Sequence, residues 1–202
     1  MKYTWLILLQ IALATFSLTA QIANKAEDIS PLLIGESIPD AGLKAPDGSE
    51  HRVLNILSKK PTVILFYRGG WCPFCNAHLS EIQGVQGEVI KLGYQIVAIS
   101  PDSPENLQIT DEKDKLDYSL YSDGDGKFIQ SIGLAFKAPE KYAGMLIEKS
   151  NGMNEGFLPV PSVFIVDTTG KILFEYINPD YKTRLSAGLL MAVLKELKKE
   201  VK

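Results

Sequence analysis

A chain of 202 residues with 46% hydrophobic, 22% charged and 9% aromatic content suits one ordinary globular domain and excludes a disordered, collagenous or fibrous polymer. Lys and Arg total 21 against 24 Asp and Glu, a formal charge of −3, so no basic excess is available to grip a phosphate backbone, which argues against nucleic acid as a partner. The two cysteines, Cys72 and Cys75, are too few for a disulfide-stapled scaffold, and their closeness in the chain points to chemistry.

Met1-Lys2 is a positive start, Trp5 to Ala20 is mostly apolar, and Ser17-Leu18-Thr19-Ala20 ends in small residues before Gln21. This is the layout of a secretory signal peptide, with cleavage expected after Ala20. The run is shorter than the ~20 residues that cross a bilayer and is broken by Gln10, so no stable membrane span is expected after cleavage. The protein is therefore expected to be exported, periplasmic or secreted, where disulfides persist. Residues 21–40 read as a polar lead-in, and residues 41–202 as one domain.

Pro46-Asp47-Gly48 is a turn signal. Thr62 to Tyr67 is β-branched and aromatic without alternation, the pattern of a strand buried on both faces. Leu79, Ile82, Val85, Val89 and Leu92 recur at helical spacing up to Gly93, with Gly84 and Gly87 inside predicting a bend. A strand over Tyr94–Ser100, a helix from Glu105 to about Lys113 and a strand over Asp117–Tyr121 complete a β-α-β-α-β alternation, which implies parallel pairing with right-handed crossovers. Residues 135–160 form a long connection, helical over about Pro139–Lys149, whose Met145 and Met153 are read as core filling. Ser162–Asp167 and Lys171–Ile177 flank Thr168-Thr169-Gly170 as a hairpin. The chain closes in an amphipathic helix, with Leu185, Leu189, Val193, Leu197 and Val201 on one side and a solvated lysine run at its end. The fold class is α/β: a central mixed, mainly parallel sheet flanked by helices, with an insertion before the last hairpin.

Trp71-Cys72-Pro73-Phe74-Cys75 follows a buried strand through Arg68-Gly69-Gly70 and opens the next helix. Free backbone N–H groups and the positive helix end favour a thiolate there. The spacing puts both sulfurs on one face of the first turn, so a reversible Cys72–Cys75 disulfide is available, and Pro73 suits a first turn whose N–H would be unpaired. Covalent haem attachment fails because Asn76 stands where His is needed. Structural zinc fails because only His51 and His78 supplement the pair, so no metal is expected. Of the three arginines, Arg68 is close enough in sequence to support a thiolate by its charge, while Arg184 reads as the approach to the last helix. Trp71 is expected to wall the site, and His78 is discounted as a base.

With ILFYRGGWCPFC upstream, SDGDGKFIQSIGLAF between and LPVPSVFIVDTTGKILF downstream, the sequence resembles the peroxiredoxin-like alkyl hydroperoxide reductase/thiol-specific antioxidant family over roughly Ile34 to Leu197. The resemblance implies a thioredoxin-like fold with the Val160-Pro161 peptide bond in cis facing the sulfurs. It further implies partner or substrate contacts by Trp71, Pro73, Phe74, Val160 and Pro161, and no cofactor. The family motif Pro-x-x-x-Thr-x-x-Cys appears here with Arg68 in place of Pro and Cys72 in place of Thr. That alignment makes Cys75 the peroxide-attacking sulfur, whereas a thioredoxin reading makes it Cys72. The function expected is a thiol-dependent peroxidase taking hydrogen peroxide or an alkyl hydroperoxide, recycled by a thioredoxin-like dithiol protein. The alternatives are a thiol–disulfide oxidoreductase acting on protein disulfides, and a non-catalytic binding domain.

Overall fold

The architecture grows from one apolar strand. In the computed structural model, which describes residues 22–114 and 116–200, Thr62–Phe66 is buried along its whole length, as its unalternating sequence requires. Val63 and Leu65 face one apolar cluster while Ile64 and Phe66 face a second, so this strand separates the two halves of the core. The signal-peptide reading of residues 1–20 and the apolar position Val201 lie outside the described residues.

In chain order, β1 (Gly42–Lys44) and β2 (Glu50–Arg52) form a hairpin around the Pro46-Asp47-Gly48 turn, followed by α1 (Val53–Leu57) and β3 (Thr62–Phe66). Next come α2 (Pro73–Gln83), α3 (Gln86–Lys91), β4 (Gln95–Ser100), α4 (Pro104–Asp114), β5 (Ser119–Ser122) and α5 (Lys127–Ser131). An insertion holds β6 (Ala135–Lys137), α6 (Ala143–Lys149) and β7 (Phe157–Pro159), after which β8 (Ser162–Val166), β9 (Ile172–Ile177) and α7 (Ala187–Glu200) end the fold. The expected bend is a break: α2 stops at Gly84, and Val85 leaves helical geometry at φ −112°, ψ 1° before α3 begins.

Among the described residues the main sheet has seven strands in the order β2-β1-β5-β4-β3-β8-β9, with β6 and β7 forming a separate antiparallel pair. The sheet is mixed, but not mainly parallel as expected. Only β3-β4 and β4-β5 pair in parallel, and β1-β2, β1-β5, β3-β8 and β8-β9 are antiparallel. Helical crossovers join β3 to β4 and β4 to β5 and make those pairs parallel, tight turns make β1-β2 and β8-β9 antiparallel, and long connections bring β1 beside β5 and β8 beside β3 in the antiparallel sense. This is the thioredoxin-like arrangement, with helices packed on both faces.

The lead-in is docked on the domain. Ala23 brackets β6 through its N–H to the Ala135 carbonyl (3.0 Å) and its carbonyl to the Lys137 N–H (2.8 Å). Farther along, Ile38 N–H reaches the Gly170 carbonyl at 2.9 Å. On α7 the buried stripe is Ala187, Leu190, Met191 and Leu194, and Leu189, expected on the apolar side, is 49% exposed. Leu185 is buried but precedes the helix, which shifts the true stripe by one position. No helix of the described residues is long and apolar enough to cross a membrane.

Candidate active site

Tyr67 continues the parallel pairing beyond β3, its N–H reaching the Ile99 carbonyl at 3.1 Å. The chain then turns sharply to start α2. Gly69 has φ +139°, and a side chain there would run into Trp71 Nε1 and the Asp102 carboxylate, so the turn requires glycine. Gly70 N–H donates to Asp102 Oδ2 at 2.7 Å, and Asn76 Nδ2 donates to the Gly70 carbonyl at 2.9 Å. These two bonds clamp the turn between the start of α2 and the loop after β4.

Cys72 caps α2, its carbonyl receiving the N–H groups of Cys75 (2.9 Å) and Asn76 (3.1 Å), and Pro73 occupies the first turn as expected. Both cysteines are unbonded thiols in the apolar cluster on the α2 face, Cys72 1% exposed and Cys75 fully buried. They are not equivalent. The Cys75 thiol donates to the Cys72 sulfur and lowers its pKa to about 6 against the penalty of burial, with the Cys75 amide and the charges of Arg68 and Arg184 adding to the effect. Burial pushes the Cys75 thiol well up, and its role as donor to Cys72 and the neighbouring thiolate charge push it further. One sulfur is thus held as thiolate and the other as its proton-bearing partner.

Arg68 is only 3% exposed. Its guanidinium carbon lies 4.9 Å from the Trp71 ring, 4.9 Å from Tyr142 and 4.4 Å from Tyr181, so π faces from three segments hold the cation. Trp71 packs against the apolar cluster that contains both cysteines. Phe74 is 42% exposed and rests edge-on against Tyr181. Pro73 is exposed at the helix start.

Three expectations are corrected. Arg184 is not only the approach to α7: its Nη2 reaches Cys75 Sγ at 3.5 Å while Nε donates to the Tyr181 carbonyl at 2.8 Å. The Val160-Pro161 bond is trans, since no cis peptide occurs among the described residues. Trans is the isomer favoured for X-Pro bonds in general, by about 0.5–1 kcal/mol. Val160, expected as a partner contact, is instead fully buried: its N–H donates to the Leu134 carbonyl (2.9 Å) and its carbonyl accepts from Ser162 Oγ (2.8 Å), so its N–H is not free to pair with a peptide. Pro161 is buried but lines a small concavity beside Arg68.

His78 is the satisfied packing residue expected, with Nε2 3.0 Å from the Leu185 carbonyl. Burial and the Arg184 charge push its pKa down to about 4, so it carries no proton to give near neutrality. No cluster of three or more His, Cys, Asp or Glu suited to a metal exists among the described residues. Sequence reasoning missed Arg184, Tyr142 and Tyr181, which come from segments about 70 to 110 positions from the cysteines; the scarcity of arginine was the one available signal.

A thiolate-thiol pair at a helix start, attended by two arginines and seated beside the central strand of a thioredoxin-like fold, defines a thiol redox protein. The sequence model of the AhpC/TSA family matches residues 34–174, more than half of the chain, and the chain belongs to that family. It is 24% identical over 168 residues to peroxiredoxin Bcp of Escherichia coli (strain K12), covering 83% of this chain and 99% of that one. Among solved structures it is similar to peroxidoxin BcpB of Mycobacterium tuberculosis, with TM-score 0.64, 22% identity and coverage of 81% and 97%. It is also similar to reduced Prx3 of Vibrio vulnificus in complex with hydrogen peroxide, with TM-score 0.69, 19% identity and coverage of 81% and 99%. At these identities the structural likenesses bear on the fold.

Proposed function

We propose that this AhpC/TSA family protein is a thiol-dependent peroxidase that reduces hydrogen peroxide or an alkyl hydroperoxide through Cys72 and Cys75, and that an external dithiol protein such as a thioredoxin recycles it. Family membership and the relatives named peroxiredoxin support the reaction class. The observation that weighs against thioredoxin-type exchange is Val160, which is buried and whose N–H is already bonded to the Leu134 carbonyl where a polypeptide substrate would pair. A small peroxide needs no such pairing.

The uneven thiol pair assigns the roles. Cys72 thiolate attacks the distal peroxide oxygen, the O–O bond breaks, and the alkoxide or hydroxide takes a proton to leave as alcohol or water. Sulfur is oxidised and peroxide reduced by two electrons. Cys75 thiol then condenses with the Cys72 sulfenic acid, releasing water and forming the disulfide. An external dithiol reduces it by exchange, becoming a disulfide itself. Arg68 stabilises the thiolate, and its guanidinium is a suitable donor to peroxide oxygens. The reading exchanges the roles that the family alignment implies, because burial and hydrogen bonding favour the charge on Cys72.

One observation favours the disulfide-exchange alternative: Phe74 is exposed beside the lowered thiol, as a partner contact requires. Stopped-flow reaction of the reduced protein with hydrogen peroxide, beside an insulin-reduction assay, separates the two. Peroxidase chemistry gives a second-order rate far above that of a free thiol with little insulin turnover, and the reverse result overturns it. Cys75→Ser is expected to accumulate a sulfenic acid on Cys72 that a dimedone-type probe traps, and Cys72→Ser to lose peroxide consumption. Export after cleavage at Ala20 is part of the proposal, and the intact mass of the exported protein tests it.

A further inference from the structure

Beside Arg68 lies a concavity of about 170 Å³ with apolar walls that include Phe136, Leu158, Pro161 and Tyr181. Its charged lining is Arg68 and Lys141, and no Asp or Glu borders it. The two cations approach the same ring: the Arg68 guanidinium carbon is 4.9 Å and Lys141 Nζ 5.0 Å from the centroid of Tyr142. Neither takes part in an ion pair among the described residues, whose four ion pairs involve other groups. Arg68 Nε is buried and donates to no protein acceptor.

Two like charges beside one aromatic ring repel, and the buried Arg68 side of the space is screened less by water than the exposed Lys141 side. An anion between them removes that repulsion, and a carboxylate matches the planar guanidinium fork. The volume admits a ring or a short alkyl frame and is too small for a folded partner. Arg68 lines the concavity and its charge also favours the Cys72 thiolate, so a molecule seated here shares that guanidinium with the reacting sulfur.

We propose that this concavity is a subsite for a carboxylate carried on a compact apolar frame, and that the preferred substrates are organic hydroperoxides bearing such a carboxylate. The substrate half of the proposal rests on the peroxidase reading, while the binding half does not. Lys141 lies in the insertion and Arg68 at the end of the strand, so the insertion supplies the specificity.

The first arm titrates the reduced protein with benzoate and with benzamide, its neutral counterpart, following Trp71 fluorescence. Benzoate is expected to bind about tenfold more tightly, the difference that one buried and one exposed cation together supply. Lys141→Glu, at an exposed position, is expected to weaken benzoate about tenfold and leave benzamide unaffected. Ala26→Phe, which fills the concavity from its rim, is expected to weaken both ligands. Equal affinities for benzoate and benzamide, or benzoate binding indifferent to Lys141→Glu, overturn the proposal.

The second arm compares cumene hydroperoxide with its para-carboxylate. The carboxylate is expected to react about tenfold faster, an advantage that Lys141→Glu removes. If neither hydroperoxide reacts but benzoate binds as expected, the peroxidase reading fails and the anion subsite stands. If both react equally and benzoate does not bind, the subsite fails and the peroxidase reading stands.

Discussion

Two of the three arginines in the chain converge on the sulfur pair, and they act on it differently. Arg68, held by three rings, sets charge beside Cys72, and Arg184 touches Cys75 and is tied to the Tyr181 carbonyl. Because the Cys72 thiol is lowered to about 6, the rate with hydrogen peroxide is expected to rise through pH 6 and level off by pH 8. A profile still climbing through pH 8 to 9 contradicts the assignment. Arg184→Met removes a cation that favours the thiolate, so the midpoint is expected to rise by about one unit, slowing the reaction about fivefold at pH 6 and barely at pH 8. The same charge depresses His78, whose NMR titration is expected to move upward from about 4 in that variant. A residue that only braced the loop would change neither titration.

Among the elements, the segments that shape the site are those that sequence periodicity describes least well. The strand β3 and the start of α2 follow from local signals: an unbroken apolar run, then Pro73 in a first turn. In the insertion only the helix was legible in sequence, and its two strands were not. Its β6 is held between β7 and the N-terminal segment, and at Gly133, just before it, φ is +73° with the Ser30 carbonyl packed directly against the Cα. A Cβ there meets backbone on one side and a left-handed conformation on the other. Gly133→Ala is therefore expected to cost about 2 kcal/mol or more, lowering the urea midpoint at unchanged slope. Gly144 in α6 has open space around it, so Gly144→Ala is expected to be neutral or to stabilise by up to about 1 kcal/mol. Equal effects at the two positions contradict the docking of the N-terminal segment as a structural element.

For the molecule as a whole, two apolar clusters on opposite faces of one sheet hold the fold, and buried carboxyls make its stability depend on pH. Asp102 and Asp123 are each 2% exposed, and burial raises both to about 7 despite backbone N–H donors from Gly70 and from Phe128 and Ile129. A carboxyl raised on folding binds its proton more tightly in the native state. Its contribution is therefore full below about 3.8 and disappears as pH rises through 7. Between pH 5 and 8 the wild type is expected to lose on the order of 2 kcal/mol more unfolding free energy than Asp102→Asn. Parallel curves for the two proteins contradict the raised carboxyl.

The sequence by itself determined the dithiol and its place at a helix start, the buried central strand, the alternation around it and the family, because each is written in contiguous residues. Local chemistry suffices for such features: apolar runs seek burial, proline suits a first turn, and three-residue spacing puts two sulfurs on one side of it. Tertiary structure decided which sulfur favours the charge, that Arg184 reaches Cys75, that Tyr142 and Tyr181 complete the cage around Arg68, and that Val160 is buried with its N–H bonded to Leu134. It also decided the balance of parallel and antiparallel pairing. These depend on contacts between segments distant in the chain and on how deeply each group is buried, and both arise only when the two faces of the sheet are packed.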